Sequence, residues 1–261
     1  MTSISSELAA PSRRGSGREP GGPRFLGGKL DIPRPGFPVL RRSRVNELIS
    51  DAARHRVTLV CAPTGSGKTV ACAAWADDTA AAERIVWVTA DGEDGHQWFW
   101  AYLCAGLRRA GVEPLELIQS LDDASAVRFP LRLVGAARLF SEPVVLVLDN
   151  VHTVTDEMVL NGLAFIIRHA PPALRLVLAG CRMPAGLQLA RLPISQVADI
   201  GPGQLACTAQ EADAFLASLG IEADAAERDA LLRRTGGCMA CLRLAALRAD
   251  AGHAQSQIAV T

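Results

Sequence analysis

The chain has 261 residues, 49% of them hydrophobic and 21% charged, and its formal net charge is zero. These proportions exclude a disordered or fibrous protein and fit one large globular domain with room for a small appendage. No run of about twenty apolar residues exists, so no membrane span is expected.

The charge is unevenly spread. Residues 1–44 carry nine Lys and Arg against Glu7, Glu19 and Asp31, a net of +6, which leaves −6 for the rest. Residues 1–28, rich in Ser, Arg, Gly and Pro, read as a disordered basic tail; no apolar stretch follows the arginines, so it is not a secretory signal. Lys29 to Pro38 is punctuated by Pro and reads as extended. Val45, Leu48, Ile49 and Ala52 have helical spacing and predict a helix over Ser43 to His55.

A β-branched run, Val57 to Cys61, then leads into Ala62-Pro63-Thr64-Gly65-Ser66-Gly67-Lys68-Thr69, and Val70 to Ala76 reads as a helix. Strand, glycine loop, Gly-Lys-Thr and helix are the parts of a phosphate-binding loop. Gly65 and Gly67 let successive backbone N–H groups face one point, and the helix N-terminus adds partial positive charge. Lys68 is placed to reach the β- and γ-phosphates, and the Thr69 hydroxyl to ligate Mg²⁺. Ala62 stands where the strict pattern has Gly. The chain has only two lysines, Lys29 and Lys68, so a lysine at this place is not compositional noise.

Further along, Ile85 to Thr89 reads as a second strand, Asp91 to Gly95 as an acidic turn, and Trp98 to Ala110 as a helix. Leu131 to Phe140 reads as a helix ended before Glu142-Pro143. Val144 to Leu148 is apolar throughout, as a central parallel strand should be. A helix over Glu157 to His169, a strand over Leu174 to Ala179 and a fifth strand over Gln196 to Ile200 follow. Strands alternating with helices predict a parallel sheet covered on both faces. After Cys207 the pattern becomes helical. Thr208-Ala209-Gln210-Glu211 is a capping box opening a helix to Leu219, and Ala223 to Thr235 and Cys238 to Asp250 continue it. The predicted division is a tail over 1–28, a nucleotide-binding unit over 29–206 and a helical lid over 207–261.

The remaining site residues follow from the loop. Asp149, directly after the apolar strand, is the expected Mg²⁺ partner of Thr69. Asn150 stands where hydrolysing proteins of this class often carry an acid. An amide cannot act as a general base, so slow or absent hydrolysis is expected. Asp91 and Glu93 are alternative water-positioning acids. Arg182, after the fourth strand, is a candidate γ-phosphate sensor, and Arg42 and Arg44 are candidate adenine contacts. Seven cysteines, an odd number scattered through apolar elements, fit reduced thiols in a cytoplasmic protein. Cys238-Met239-Ala240-Cys241 has no second pair at zinc spacing.

These residues together resemble the ATPase domain of the large, MalT-like regulators of the LuxR family, members of the STAND class of signal-transducing ATPases. The resemblance runs from about Lys29 to Leu247. It is carried by Val39 to Arg44, the loop Ala62 to Thr69, Val86 to Asp91, Trp98 to Leu103, Leu146 to His152, Leu174 to Arg182, Leu189 to Leu192 and Thr208 to Leu216. It implies a three-layer α/β P-loop NTPase with a small C-terminal helical lid, ATP/ADP binding with Mg²⁺, and nucleotide-controlled self-association. Asn150 departs from the family's acid, and Gly236-Gly237-Cys238-Met239 lacks its usual aromatic. Such regulators continue into a repeat sensor and a helix-turn-helix. Neither pattern occurs here, so direct DNA binding by this chain is not expected. Two readings stay open: a regulatory ATP switch acting through protein contacts, and a turning-over ATPase or ATP-dependent phosphotransferase.

Overall fold

Five apolar runs form five parallel strands: β1 (Val57–Cys61), β2 (Arg84–Thr89), β3 (Val144–Asp149), β4 (Leu174–Gly180) and β5 (Val197–Ile200). The computed structural model describes residues 27–37, 39–80, 83–112 and 123–258; apart from Gly27 and Gly28, the expected basic tail lies outside them. The strand order is β2-β3-β4-β1-β5. β1 therefore lies between β4 and β5, with Val57 opposite Leu176 on one side and Val197 on the other.

All six residues of β3 are buried, and their alternation explains why the run is apolar without a break. Val144, Leu146 and Leu148 face one core with Phe99, Trp100, Leu133 and Leu163. Val145 and Val147 face the other with Ile49, Cys72, Trp75 and Ala76. A strand covered on both sides has no solvent face for polar residues. The first core lies under α3 (His96–Arg109), α4 (Asp123–Ala137) and α5 (Glu157–His169), the second under α1 (Ser43–Ala52) and α2 (Lys68–Thr79). The three-layer α/β expectation is met. Among the described residues, no helix is long and apolar enough to cross a membrane.

The first and fourth helices depart from the sequence reading. The first stops at Ala52 rather than His55, because the Ala52 carbonyl accepts from the Thr58 hydroxyl at 2.7 Å and from the His55 amide at 2.9 Å, which turns the chain into β1. The fourth begins at Asp123 rather than Leu131 and runs through Pro130. Proline in a helix interior removes a hydrogen bond, and α4 accommodates one at Pro130.

Pro130 also fixes a close approach. A Cβ on Gly162 of α5 would sit 2.4 Å from Trp100 Cζ2 and 2.8 Å from Pro130 Cγ. Trp100 and Pro130 fill this space, and Trp100 stacks on Phe129 with ring centroids 5.4 Å apart. Gly162→Ala should therefore lower unfolding free energy by about 2 kcal/mol in denaturant titrations, the cost of overpacking a filled core. An unchanged midpoint would mean that α5 can shift to make room.

After β5 come the four-residue α6 (Pro202–Leu205), α7 (Ala209–Ser218), α8 (Ala225–Thr235) and α9 (Met239–Ile258). The capping box over Thr208 and Glu211 forms as read, with the Glu211 amide donating to Thr208 Oγ1 at 3.2 Å. Ala212, Phe215, Leu216, Leu242 and Ala246 make a small core of their own, against which Leu40 and Met239 pack.

Candidate nucleotide site

The turn between β1 and α2 is built on two glycines. Gly65 has φ +86° and Gly67 has φ +85°, left-handed values that residues with a Cβ rarely adopt. The Gly67 carbonyl accepts from the Ala71 amide at 2.8 Å and starts α2. Ser66 donates from its amide and its hydroxyl to the Pro63 carbonyl, at 3.3 and 2.8 Å, which tightens the loop. Lys68 is buried, and its ammonium donates to the carbonyls of Ala62 at 2.8 Å and Pro63 at 3.1 Å. Its charge is thus held along the loop. Ala62 is buried, Thr64 is exposed, and Val70 lies in the first turn of α2.

Thr69 and Asp149 meet across the sheet. The Thr69 hydroxyl lies 3.1 and 2.9 Å from the two carboxylate oxygens, 80 residues distant in sequence. Asp149 ends β3, is 1% exposed, and accepts from the Asn150 amide at 2.9 Å. Burial raises its pKa above the ordinary carboxylate value of 3.8, against the lowering by the Thr69 hydroxyl, the Asn150 amide, Lys68 and His152. A hydroxyl and a carboxylate at this separation are two hard oxygen donors, which suits Mg²⁺ held jointly with phosphate oxygens. Asn150 has φ +57°, and its carbonyl accepts from the Thr153 amide and hydroxyl, both at 2.9 Å. Asn and Asp tolerate this conformation better than other side-chain-bearing residues.

The other candidates are arranged differently. Arg182 follows β4, is exposed, and forms no ion pair among the described residues. Arg42 is buried and turned toward the C-terminal helices. It donates to the Leu205 and Ala206 carbonyls at 2.9 and 3.0 Å and to Glu211 Oε2 at 2.9 Å. Arg44 joins it, donating to Gln204, Ala206 and the same Glu211 oxygen. Asp91 lies 3.4 Å from the Lys29 ammonium, which hydrogen-bonds Asp94 at 2.7 Å; Glu93 donates its amide to Asp91.

Sequence reasoning missed one contact at the loop. The segment leading into α9 lies directly against it, with the Ala240 amide donating to the Gly65 carbonyl at 3.1 Å. A Cβ on Gly65 would meet Ala240 Cβ at 3.1 Å and Cys238 Sγ at 3.3 Å, and one on Gly67 would meet Met239 Cγ at 3.6 Å. Gly236 and Gly237, with φ +58° and +72°, bring the chain there. A backbone hydrogen bond has no side-chain signature, so only the unusual double glycine could have pointed to this turn.

A strand–loop–helix phosphate cradle on the interior strand β1, with a hydroxyl–carboxylate pair beside it, defines a P-loop ATPase domain. The chain belongs to the AAA domain family, whose model matches residues 52–185. It is 30% identical over 241 residues to the serine/threonine-protein kinase PknK of Mycobacterium tuberculosis, covering 86% of this chain and 21% of that one. It is also 30% identical over 223 residues to the HTH-type transcriptional regulator MalT of Serratia proteamaculans, covering 83% of this chain and 24% of the relative. A STAND protein with a tetratricopeptide repeat sensor from Pyrococcus horikoshii shares the fold, with a TM-score of 0.52 at 16% identity over 79% of this chain and 29% of its own. The resemblance to MalT-like regulators is thereby supported. The chain spans about a fifth to a quarter of the length of these curated relatives.

Proposed function

We propose that the chain is an ATP-binding regulatory switch with slow or absent hydrolysis, read out through contacts with a protein partner or with a second copy. Residues 29–206 would hold the nucleotide and residues 207–261 would act as the lid. One observation carries this reading: the lid segment touches the phosphate loop itself, through Ala240 and Gly65. A change at the phosphates therefore has a short path to the C-terminal helices.

In this reading Lys68 leaves the Ala62 and Pro63 carbonyls to neutralise the β- and γ-phosphates. Loop amides between Gly65 and Val70 and the N-terminus of α2 would supply the remaining positive field. Thr69 and Asp149 would hold Mg²⁺, which supplies charge neutralisation at the phosphates. Arg182, exposed and unpaired among the described residues, would contact the terminal phosphate. Asn150 can hydrogen-bond a water but cannot take its proton. Free thiols at every described cysteine accord with a cytoplasmic setting.

The test is single-turnover hydrolysis beside ATP and ADP affinity. Tight binding with slow turnover, quickened about tenfold or more by Asn150→Asp, is expected from general-base catalysis. Fast turnover by the unaltered chain, unchanged in the variant, would favour a working ATPase instead.

The raised pKa of Asp149 gives a pH prediction. Only the ionised carboxylate ligates a metal, so Mg²⁺-dependent nucleotide binding should strengthen as pH rises through that raised value. Stability without nucleotide runs the other way. A native pKa above the unfolded one means the native state binds more protons. Its contribution is full below the unfolded value and is lost as pH rises toward the native one. Asp149→Asn should flatten that loss in denaturant titrations from about pH 4 upward while removing the Mg²⁺ dependence of binding. A variant as pH-sensitive as the parent would assign the slope to another group.

A further inference from the structure

We propose that Cys238 and Cys241 form a thiol–disulfide modification site whose state sets the position of the lid segment on the phosphate loop, and thereby the hold on nucleotide. The coupling to affinity rests on the nucleotide-binding reading above; the disulfide and its effect on the loop do not.

The geometry begins with the cap of α9. The Cys238 carbonyl accepts from the Leu242 amide at 2.8 Å, so Cys238 opens the helix and Cys241 follows on the same side, three residues on. The neighbouring Cys238 thiol raises the pKa of the Cys241 thiol above its ordinary value. Cys241 is exposed and open to reagents, whereas Cys238 is half-buried, its sulfur 3.3 Å from where a Cβ on Gly65 would lie. Among the described residues no group of three His, Cys, Asp or Glu is placed to hold a metal, so two thiols without further ligands suit disulfide chemistry better than zinc.

Closing the bond redirects the Cys238 sulfur. Cys238 stands just before α9 (Met239–Ile258), and a disulfide to Cys241 holds the two Cβ atoms about 3.8 Å apart and turns the Cys238 sulfur toward the helix. The helix holds Cys241, so the shift falls on Cys238 at the end of the turn. That draws its sulfur away from Gly65 and loosens the Ala240–Gly65 hydrogen bond.

The oxidant class is a low-molecular-weight disulfide. One cysteine thiolate attacks a sulfur of the reagent, forming a mixed disulfide and releasing one thiolate. The second cysteine thiolate attacks the protein-bound sulfur, forming the Cys238–Cys241 bond and releasing the second. Two cysteine thiols are oxidised, one disulfide is reduced to two thiols, and the two protons pass to the released thiolates.

The full chain would be equilibrated in glutathione and glutathione disulfide at varied ratios, alkylated and cut with trypsin. The peptide Thr235 to Arg243 holds both cysteines and no other. It should lose two hydrogen masses on oxidation. Amide hydrogen exchange over residues 62–69, measured without nucleotide, should speed up in the oxidised chain. Mg·ATP affinity should fall about fivefold or more, with no change between buffers in Cys241→Ser. A peptide that stays dithiol at every ratio, or a disulfide that leaves loop exchange unchanged, overturns the proposal. If loop exchange responds but the reduced chain binds no nucleotide, the proposed function fails and the disulfide site stands. Binding that is equal in both states overturns the coupling.

Discussion

Lys68→Ala should abolish measurable nucleotide binding, weakening Mg·ATP and Mg·ADP by at least ~100-fold, about 3 kcal/mol. The ammonium is buried, and its partners among the described residues are the carbonyls of Ala62 and Pro63. Neutral oxygens hold a cation less strongly than phosphate does, so its charge is available to an arriving polyanion. Truncation leaves that polyanion facing only backbone dipoles. Lys68→Arg should fail as well, because a planar guanidinium cannot take the place of a compact ammonium inside a tight loop. Thermal melting of both variants separates lost binding from lost folding. Binding within threefold of the parent in Lys68→Ala would remove the phosphate loop from the account.

Arg42→Ala should cost about 3 kcal/mol and free the C-terminal helices from the sheet. Arg42 carries the chain before α1 onto three acceptors of the opposite segment: the Leu205 and Ala206 carbonyls and Glu211. Glu211 is only 12% exposed at its side chain. Burial would raise its pKa, but Arg42, the Thr208 amide and Arg44 outweigh burial and leave it below the ordinary value of 4.5. A depressed carboxylate pKa contributes stability that is present above 4.5 and lost as pH falls through the native value. Removal of Arg42 should shrink that acid-side loss. Denaturant unfolding of Arg42→Ala, Glu211→Gln and the pair would measure the coupling, and a protease should cut near Ala206 sooner in the single variants. Additive effects of the two changes would mean that the ion pair does not hold the lid.

The parts legible in sequence are those where one residue type answers one local need. β3 reads as a central strand because both of its faces are buried, and the phosphate loop reads from Gly65, Gly67 and Lys68 because the turn demands left-handed backbone and the site a cation. The capping box of Thr208 and Glu211 was legible for the same reason. What was not legible was the second use of a residue already explained. Glu211 caps α7 and also clamps Arg42, 169 residues earlier, and no spacing rule spans that distance. Arg42 was expected at adenine on its position before the first helix, whereas its guanidinium is engaged by Glu211 and two carbonyls. α4 begins eight residues before Leu131 and runs through Pro130, and Gly162 makes room for that proline from another helix.

The most direct test of the switch is amide hydrogen exchange of the reduced chain with and without saturating Mg·ATP and Mg·ADP. Slowed exchange over residues 62–69 is expected with either nucleotide, together with a change over residues 236–242 that differs between ATP and ADP. Protection confined to the phosphate loop, identical for the two nucleotides, would contradict the switch.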